Sequence, residues 1–342
     1  MLYTPIQFRN IELANRWVMS PMCLFSAEKG VPNDFHFVHY TSRAMGGIGL
    51  IMIESTGIEP IGRITNQCTG IWNDEQIRGF KKINDFIHQN TASKTGIQLG
   101  HAGRKSLTDG KIIAPSPIPY QKDDKVPHEL SIKEIKERIN LFVQATKKAI
   151  EAGFDIIEIH SAHGYLVHQF LSPISNTRTD EYGGSFENRI RFLVEIVEKV
   201  NEVLDENHPL FVRISGTEYA DELNGWNLED SIRLAKALKE KKVDLIDVST
   251  GGNYDKAKIS LFDHYQVPFA SAIKKEAKIK TGAVGLIKTP QQANEILQNK
   301  DADLIFIGRA LLRNPYLALQ GAIEMNEKCT YPKQYKKAFS SI

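Results

Sequence analysis

Three cysteines in 342 residues, Cys23, Cys68 and Cys329, are too few and too unpatterned for a disulfide framework. The longest apolar run, Ile48 to Ile53, is broken by a glycine and far too short to cross a bilayer as a helix, so no membrane partner is expected. Neither sign of charge is in excess: 43 Lys and Arg face 41 Asp and Glu, a net charge of +2, which gives no footprint for nucleic acid. The start, Met1-Leu-Tyr-Thr-Pro, lacks the basic region and hydrophobic core of a secretory leader, so a cytoplasmic, thiol-reducing setting is expected. There is no low-complexity tract and no linker rich in Ser, Gly or Pro. A single domain over residues 1–342 follows. A G-x-G-x-x-G after a strand, which a doubly wound dinucleotide-binding sheet would require, is also missing.

What the chain does contain is eight short apolar runs with helical stretches between them. They are Trp17–Met19, Gly49–Ile53, Thr95–Leu99, Phe154–Ile159, Leu210–Ile214, Val243–Val248, Gly282–Leu286 and Ala302–Ile307. Runs this short and this apolar read as strands buried on both faces. Asn73-x-x-Gln76, Ser131-x-x-Glu134 and Thr289-Pro290-Gln291-Gln292 resemble capping boxes, while Gly46-Gly47 and Gly153 sit where helices should stop. Eight βα alternations predict an α/β fold, a (β/α)₈ TIM barrel, with elaborated loops after strand 3 (residues 100–130) and strand 4 (residues 161–185). The last segment, residues 331–342, is basic and aromatic and has no obvious place in the barrel.

Chemistry concentrates where strand 4 ends, in Glu158-Ile-His160-Ser-Ala-His163-Gly-Tyr165. Barrel sites lie at the carboxyl ends of the strands. There, two imidazoles can donate hydrogen bonds to a carbonyl oxygen, and a phenol that stays neutral at pH 7 can deliver a proton to the adjoining carbon. Three readings compete: a structural pair, a metal pair completed by His101 or Glu158, and a carbonyl clamp. Side chains two apart share a strand face, so Glu158 lies beneath His160, and Glu54, Gln98, Arg213 and Ser249 occupy equivalent strand ends. Arg213 could form a salt bridge to Glu54, Glu158 or Asp247, or present a fixed cation to an anionic ring. Gly308-Arg309 after strand 8 and Gly285 after strand 7 stand where barrels commonly hold phosphate. Cys23, at the tip of strand 1, is either inert filling or a ligand contact. The His101-Ala-Gly-Arg-Lys105 segment can be read as a basic loop, and the Lys/Glu pairs between Ser131 and Lys148 as a solvated helix face.

Taken in order, Met19-Ser-Pro-Met-Cys23, Gln98-Leu-Gly-His-Ala-Gly-Arg104, His160-Ser-Ala-His163-Gly-Tyr165, Ser172-Pro-Ile-Ser-Asn-Thr-Arg178-Thr-Asp-Glu-Tyr182-Gly-Gly and Ile307-Gly-Arg309 resemble the Old Yellow Enzyme family across the whole chain. These are FMN-dependent ene-reductases, and the likeness is greatest to the bacterial branch named NADPH dehydrogenases. The resemblance implies bound FMN and a nicotinamide reductant, NADPH or NADH. It implies that Ser20, Pro21, Met22 and Cys23 line the flavin, that Ser55, Gln98 and Arg213 bind its ring, and that Gly285, Gly308 and Arg309 hold its phosphate. His160 and His163 would grip a substrate carbonyl, with Tyr165 as proton donor and Cys23 tuning the flavin. The substrates implied are α,β-unsaturated carbonyls and nitro compounds, turned over in a ping-pong cycle. Phe25 stands where the branch usually has a Tyr, which makes the substrate pocket more apolar. Lys337 stands where a neighbouring subunit usually contributes an Arg, within a homo-oligomer (dimer or tetramer). The alternatives are a metal-dependent aldolase or hydrolase using His160, His163 and His101, and a non-enzymatic binding barrel.

Overall fold

The structure is a computed structural model and describes residues 1–339. Its strands in chain order are β1 (Ile6–Phe8), β2 (Ile11–Leu13), β3 (Trp17–Met19), β4 (Leu50–Gly57), β5 (Lys94–Gly100), β6 (Ile113–Ala114), β7 (His128–Glu129), β8 (Ile156–Ser161), β9 (Leu210–Ser215), β10 (Leu245–Ser249), β11 (Thr281–Ala283) and β12 (Leu304–Ile307). The helices are α1 (Asp34–Met45), α2 (Asp74–Asn90), α3 (Ile132–Glu151), α4 (Leu166–Leu171), α5 (Phe186–Asn201), α6 (Leu228–Glu240), α7 (Val267–Ala277), α8 (Pro290–Gln298), α9 (Arg309–Arg313), α10 (Leu317–Glu324) and α11 (Lys336–Phe339). Eight parallel strands close into a barrel in the order β3-β4-β5-β8-β9-β10-β11-β12, and β12 pairs back onto β3. All eight expected strands are present. Their ends differ by a few residues: β4 runs on to Gly57, whereas β11 is only Thr281–Ala283 and stops short of Leu286.

Alternation divides the strand residues between two environments. Ile51, Ile53, Ile97, Leu99, Ile157, Ile159, Val212, Ile214, Ile246 and Val248 face the helices. Val18, Leu50, Met52, Ile156, Phe211, Leu245, Leu304 and Phe306 fill the lower barrel. The antiparallel hairpin β1–β2 belongs to that inner cluster through Ile6, Phe8 and Leu13, and the Phe8 and Phe211 rings meet edge to face at 4.9 Å. This hairpin shuts the amino end of the barrel, so the open end is the carboxyl one. Two antiparallel strands of three residues have too little periodicity to stand out in a sequence.

Local rules set the helix starts. Asn73, Ser131 and Thr289 each cap a helix in a complete capping box with Gln76, Glu134 and Gln292. The connection after β5 forms the small parallel pair β6–β7, and the one after β8 carries α4, so both long loops build over the carboxyl face. No helix among the described residues is long and apolar enough to cross a membrane.

Candidate active site

Above the apolar filling lies a buried polar layer. Gln98 Nε2 donates to Glu158 Oε1 at 2.7 Å, and Arg213 Nε lies 3.1 Å from Asp247 Oδ2, so of three possible partners Arg213 takes Asp247. Two buried carboxyls therefore share one guanidinium. Burial pushes Glu158 up to about 8 and Asp247 up to about 6, so the layer retains a proton at neutral pH.

Glu54 departs from expectation and is not part of this ring. A register shift between Ile53 and Ser55, a β-bulge, turns its carboxylate to Tyr40 (3.2 Å) and His36 (3.3 Å) on α1 and to the Leu24 N–H (3.0 Å). The same extra residue brings Ser55 into register with Gln98 at the half-buried lip of the mouth.

The three aromatic groups after β8 come together. The His160 ring lies 5.2 Å from His163 at 90° and 5.0 Å from Tyr165 at 82°. Burial first, then Arg213, hold both imidazoles well below the ordinary histidine range, so both are neutral. The Ala162 N–H donates to His160 Nδ1 at 3.2 Å, which leaves the ring proton on Nε2. His163 Nε2 contacts Ser249 Oγ at 2.7 Å, a shorter contact than Ser249 Oγ makes with Gln266 Oε1 (3.2 Å). That Gln266 oxygen already accepts from Thr250 at 2.7 Å. The Ser249 proton therefore goes to His163 Nε2, and Nδ1 carries the ring proton. Burial raises the Tyr165 phenol, with Cys23 adding to the shift, so it keeps its proton throughout the working pH range.

His163 adopts a left-handed backbone (φ 59), a costly conformation for a side chain of its size. The loop after β10 holds it there. A Cβ on Gly252 would sit 2.5 Å from the His163 backbone, and one on Gly164 would sit 2.3 Å from the Gly252 carbonyl oxygen. Lys105 ties the same two loops together, donating to the carbonyls of His163 (3.0 Å) and Gly252 (2.8 Å), and its ammonium lies 5.2 Å from the centre of the Tyr165 ring. This side chain is therefore more than part of a basic loop. Its place next to His101 in sequence was the one available signal.

On the opposite side of the mouth, a cavity of ≈ 190 Å³ is lined by Gly285, Gly308, Arg309, Gln266 and Lys288. Gly285 has φ 123 and faces Gln266 so closely that a Cβ would meet it at 3.1 Å. Met22 closes the near end, its sulfur 3.4 Å from where a Gly308 Cβ would be. Ser20 Oγ is buried without a partner in this region, and Pro21 and Met22 beside it are half-buried. A glycine-walled cationic notch at one end, with orphaned polar groups and a guanidinium at the other, fits an anionic chain that carries a polar ring.

Three further calls have definite outcomes. Cys23 is half-buried on the lip, with its sulfur against the Ser55 backbone and Cys68. Phe25 is exposed at the loop tip with φ 50. Lys337 lies on α11, in a tail where Tyr331 stacks on Phe339 at 4.5 Å and packs beside α10, not over this chain's own mouth. Residues 340–342 of that tail lie outside the described residues. The metal reading loses its third ligand, because His101 Nδ1 accepts from the Gly103 N–H and Nε2 faces Glu59 at 3.2 Å. Among the described residues, no three His, Cys, Asp or Glu side chains gather as a ligand set.

Residues 1–327 match the family described as NADH:flavin oxidoreductase / NADH oxidase. The chain belongs to that family. It is thus an NAD(P)H-dependent flavin oxidoreductase whose cofactor is FMN, and the resemblance to Old Yellow Enzyme holds. An NADPH dehydrogenase of Bacillus velezensis is 51% identical over 340 residues, covering 99% of each chain. Among solved structures, morphinone reductase superposes with a TM-score of 0.81 at 27% identity, over 97% of this chain and 91% of that one. A second structure of morphinone reductase, in complex with tetrahydroNAD, gives 0.79 at 27% identity over 97% and 92%. In this flavin oxidoreductase the notch at Gly285, Gly308 and Arg309 and the ring at Ser55, Gln98 and Arg213 are the two ends that an FMN would need.

Proposed function

We propose that this flavin oxidoreductase reduces the activated carbon–carbon double bond of α,β-unsaturated carbonyl compounds, using NADPH or NADH in a ping-pong cycle. One observation carries the reading: two neutral imidazoles set perpendicular at 5.2 Å, beside a phenol that keeps its proton.

Gly285, Gly308 and Arg309 would hold the FMN phosphate, Ser20 to Cys23 would line one edge of the flavin, and Ser55, Gln98 and Arg213 would meet its ring. When bound, FMN supplies the hydride, which it first takes from the nicotinamide and then gives to the β carbon of the substrate. His160 through Nε2 and His163 through Nδ1 donate to the substrate carbonyl oxygen and oppose the negative charge that develops there. Being neutral, they donate without being consumed as acids. Tyr165 O–H delivers the proton to the α carbon from the edge of the clamp. Arg213, fixed by Asp247, supplies positive charge beneath the ring, and Lys105 keeps the His163 and Tyr165 loop in place. Phe25 biases the entrance toward apolar substrates. In a homo-oligomer, Lys337 of a neighbouring copy would add a cation at the entrance.

The test is anaerobic. FMN-loaded protein is reduced with NADPH or NADH and then mixed with a panel of enones. Return of the oxidised flavin spectrum with saturated ketone as product is the expected result. A reduced enzyme that no member of the panel reoxidises overturns the substrate class, and a protein that takes up no FMN overturns the cofactor site.

A further inference from the structure

A pair of thiols at the lip of the mouth has no part in the cycle above. Cys23, on the loop after β3, and Cys68, on the loop after β4, are in side-chain hydrogen-bonding contact. Their loops are laced together beside the pair: Ala27 N–H donates to the Gln67 carbonyl at 2.8 Å, and Gly57 N–H to that of Thr69 at 3.0 Å. Cys68 is fully buried, and its sulfur accepts from the Thr65 N–H at 3.4 Å, while Cys23 is half-buried at the opening. One thiol is therefore in reach of small solutes, and the other stands directly behind it. Cys329 is elsewhere, against the Gly47 carbonyl.

We propose that Cys23 and Cys68 are a reversible, peroxide-driven disulfide site, with Cys68 as the resolving thiol that spares Cys23 from irreversible oxidation. The oxidant is hydrogen peroxide, the product whenever two electrons pass from a reduced flavin to dioxygen. The pair ionises once near neutrality. Cys23 donates to the Cys68 sulfur and draws that thiol down to about 7, while Cys23 itself is pushed up. Passage of one proton across this hydrogen bond moves the negative charge to Cys23, where peroxide arrives. The Cys23 sulfur then attacks one peroxide oxygen, the O–O bond breaks, and hydroxide leaves as water after taking a proton. The resulting sulfenic acid is attacked by the Cys68 sulfur. An S–S bond forms, and the hydroxyl leaves as a second water with the Cys68 proton. Two thiols and one peroxide give one disulfide and two waters, with peroxide reduced by two electrons and each sulfur oxidised by one. Any dithiol reductant reverses the step by exchange. Without Cys68, the sulfenic acid has no partner and proceeds to sulfinic acid.

The FMN-loaded holoenzyme is treated with a stepwise excess of hydrogen peroxide, alkylated with N-ethylmaleimide and digested without reductant. The expected product is a Cys23–Cys68 linked peptide pair about 2 Da lighter than the two thiols, with Cys329 alkylated and the link lost on dithiothreitol. In Cys68→Ala the same peroxide dose should put two oxygens, about 32 Da, on the Cys23 peptide. Wild-type protein in which both thiols are still alkylated, or in which Cys23 gains two oxygens while Cys68 is alkylated, overturns the proposal. The wild-type peptide map decides even if the variant fails to fold, and it does not depend on which substrate the enzyme reduces.

Discussion

At the scale of single residues, the site works by controlling which atom holds a proton. Tyr165 stays protonated because burial raises it, and it lies 5.0 Å from His160, close to where a clamped carbonyl would sit. Replacing it with Phe removes the proton donor but none of the clamp. In Tyr165→Phe, reoxidation by enone should slow by roughly 10²-fold or more, the usual worth of a positioned general acid. Reduction by NAD(P)H should barely change. Stopped-flow traces of the two half-reactions check this, and equal losses in both would remove Tyr165 from the proton-donor role. Ser249 acts one step back, through the 2.7 Å contact that fixes the His163 tautomer. Ser249→Ala should leave flavin content intact and weaken binding of phenols and enones by about 1 kcal/mol, near the net value of one hydrogen bond. The flavin absorbance change on phenol titration reports it. Unchanged affinity would mean that His163 chooses its tautomer without Ser249.

The bulge in β4 and the hairpin β1–β2 are the elements that reshape an ordinary barrel. One extra residue in β4 sends Glu54 to α1 and brings Ser55 to the lip. An alternation argument that assumes an unbroken strand must put the wrong one of these two side chains inside. The hairpin shows the converse case, since its function as a plug depends on long-range packing of Phe8 against Phe211. Phe8 is 1% exposed, so Phe8→Ala should leave a cavity and cost about 3–5 kcal/mol. Because the plug lies at the end opposite the mouth, the variant should bind FMN with full stoichiometry while its thermal midpoint falls. Loss of FMN binding at a temperature where the fold persists would show that the two ends are coupled.

The whole molecule stores its neutral imidazoles at a cost that grows in acid. Burial pushes His39 and His168 down to about 3, and holds His160 and His163 well below the ordinary range. In the unfolded chain these four titrate near about 6.5, so below that pH the unfolded state binds more protons and stability falls as pH falls. Glu158 and Asp247 work the other way, because the fold keeps them protonated where the unfolded chain would ionise them. Four imidazoles against two carboxyls leave a net uptake of about two protons on unfolding near pH 5.5, a slope of roughly 2.7 kcal/mol per pH unit. Urea midpoints measured between pH 7 and 5 should fall steadily. A flat or rising trend would mean that the buried rings are charged in the native protein.

Some of this architecture depends on neighbours along the chain alone. The capping pairs Asn73–Gln76, Ser131–Glu134 and Thr289–Gln292 act over one turn, and the apolar runs need only their own composition to be recognised as buried strands, so the barrel was legible. The clustering of His160, His163 and Tyr165 was equally local, since all three lie within six residues of one strand tip. Other features arise only from segments far apart in sequence. The choice of Asp247 by Arg213, the grip of Lys105 on two loops, the displacement of Glu54 and the meeting of Cys23 with Cys68 are decided by which strands lie side by side and where one carries an extra residue. Composition and periodicity fix which face a side chain prefers; which partner it finds there is set by chain closure, and no short window of sequence contains that information.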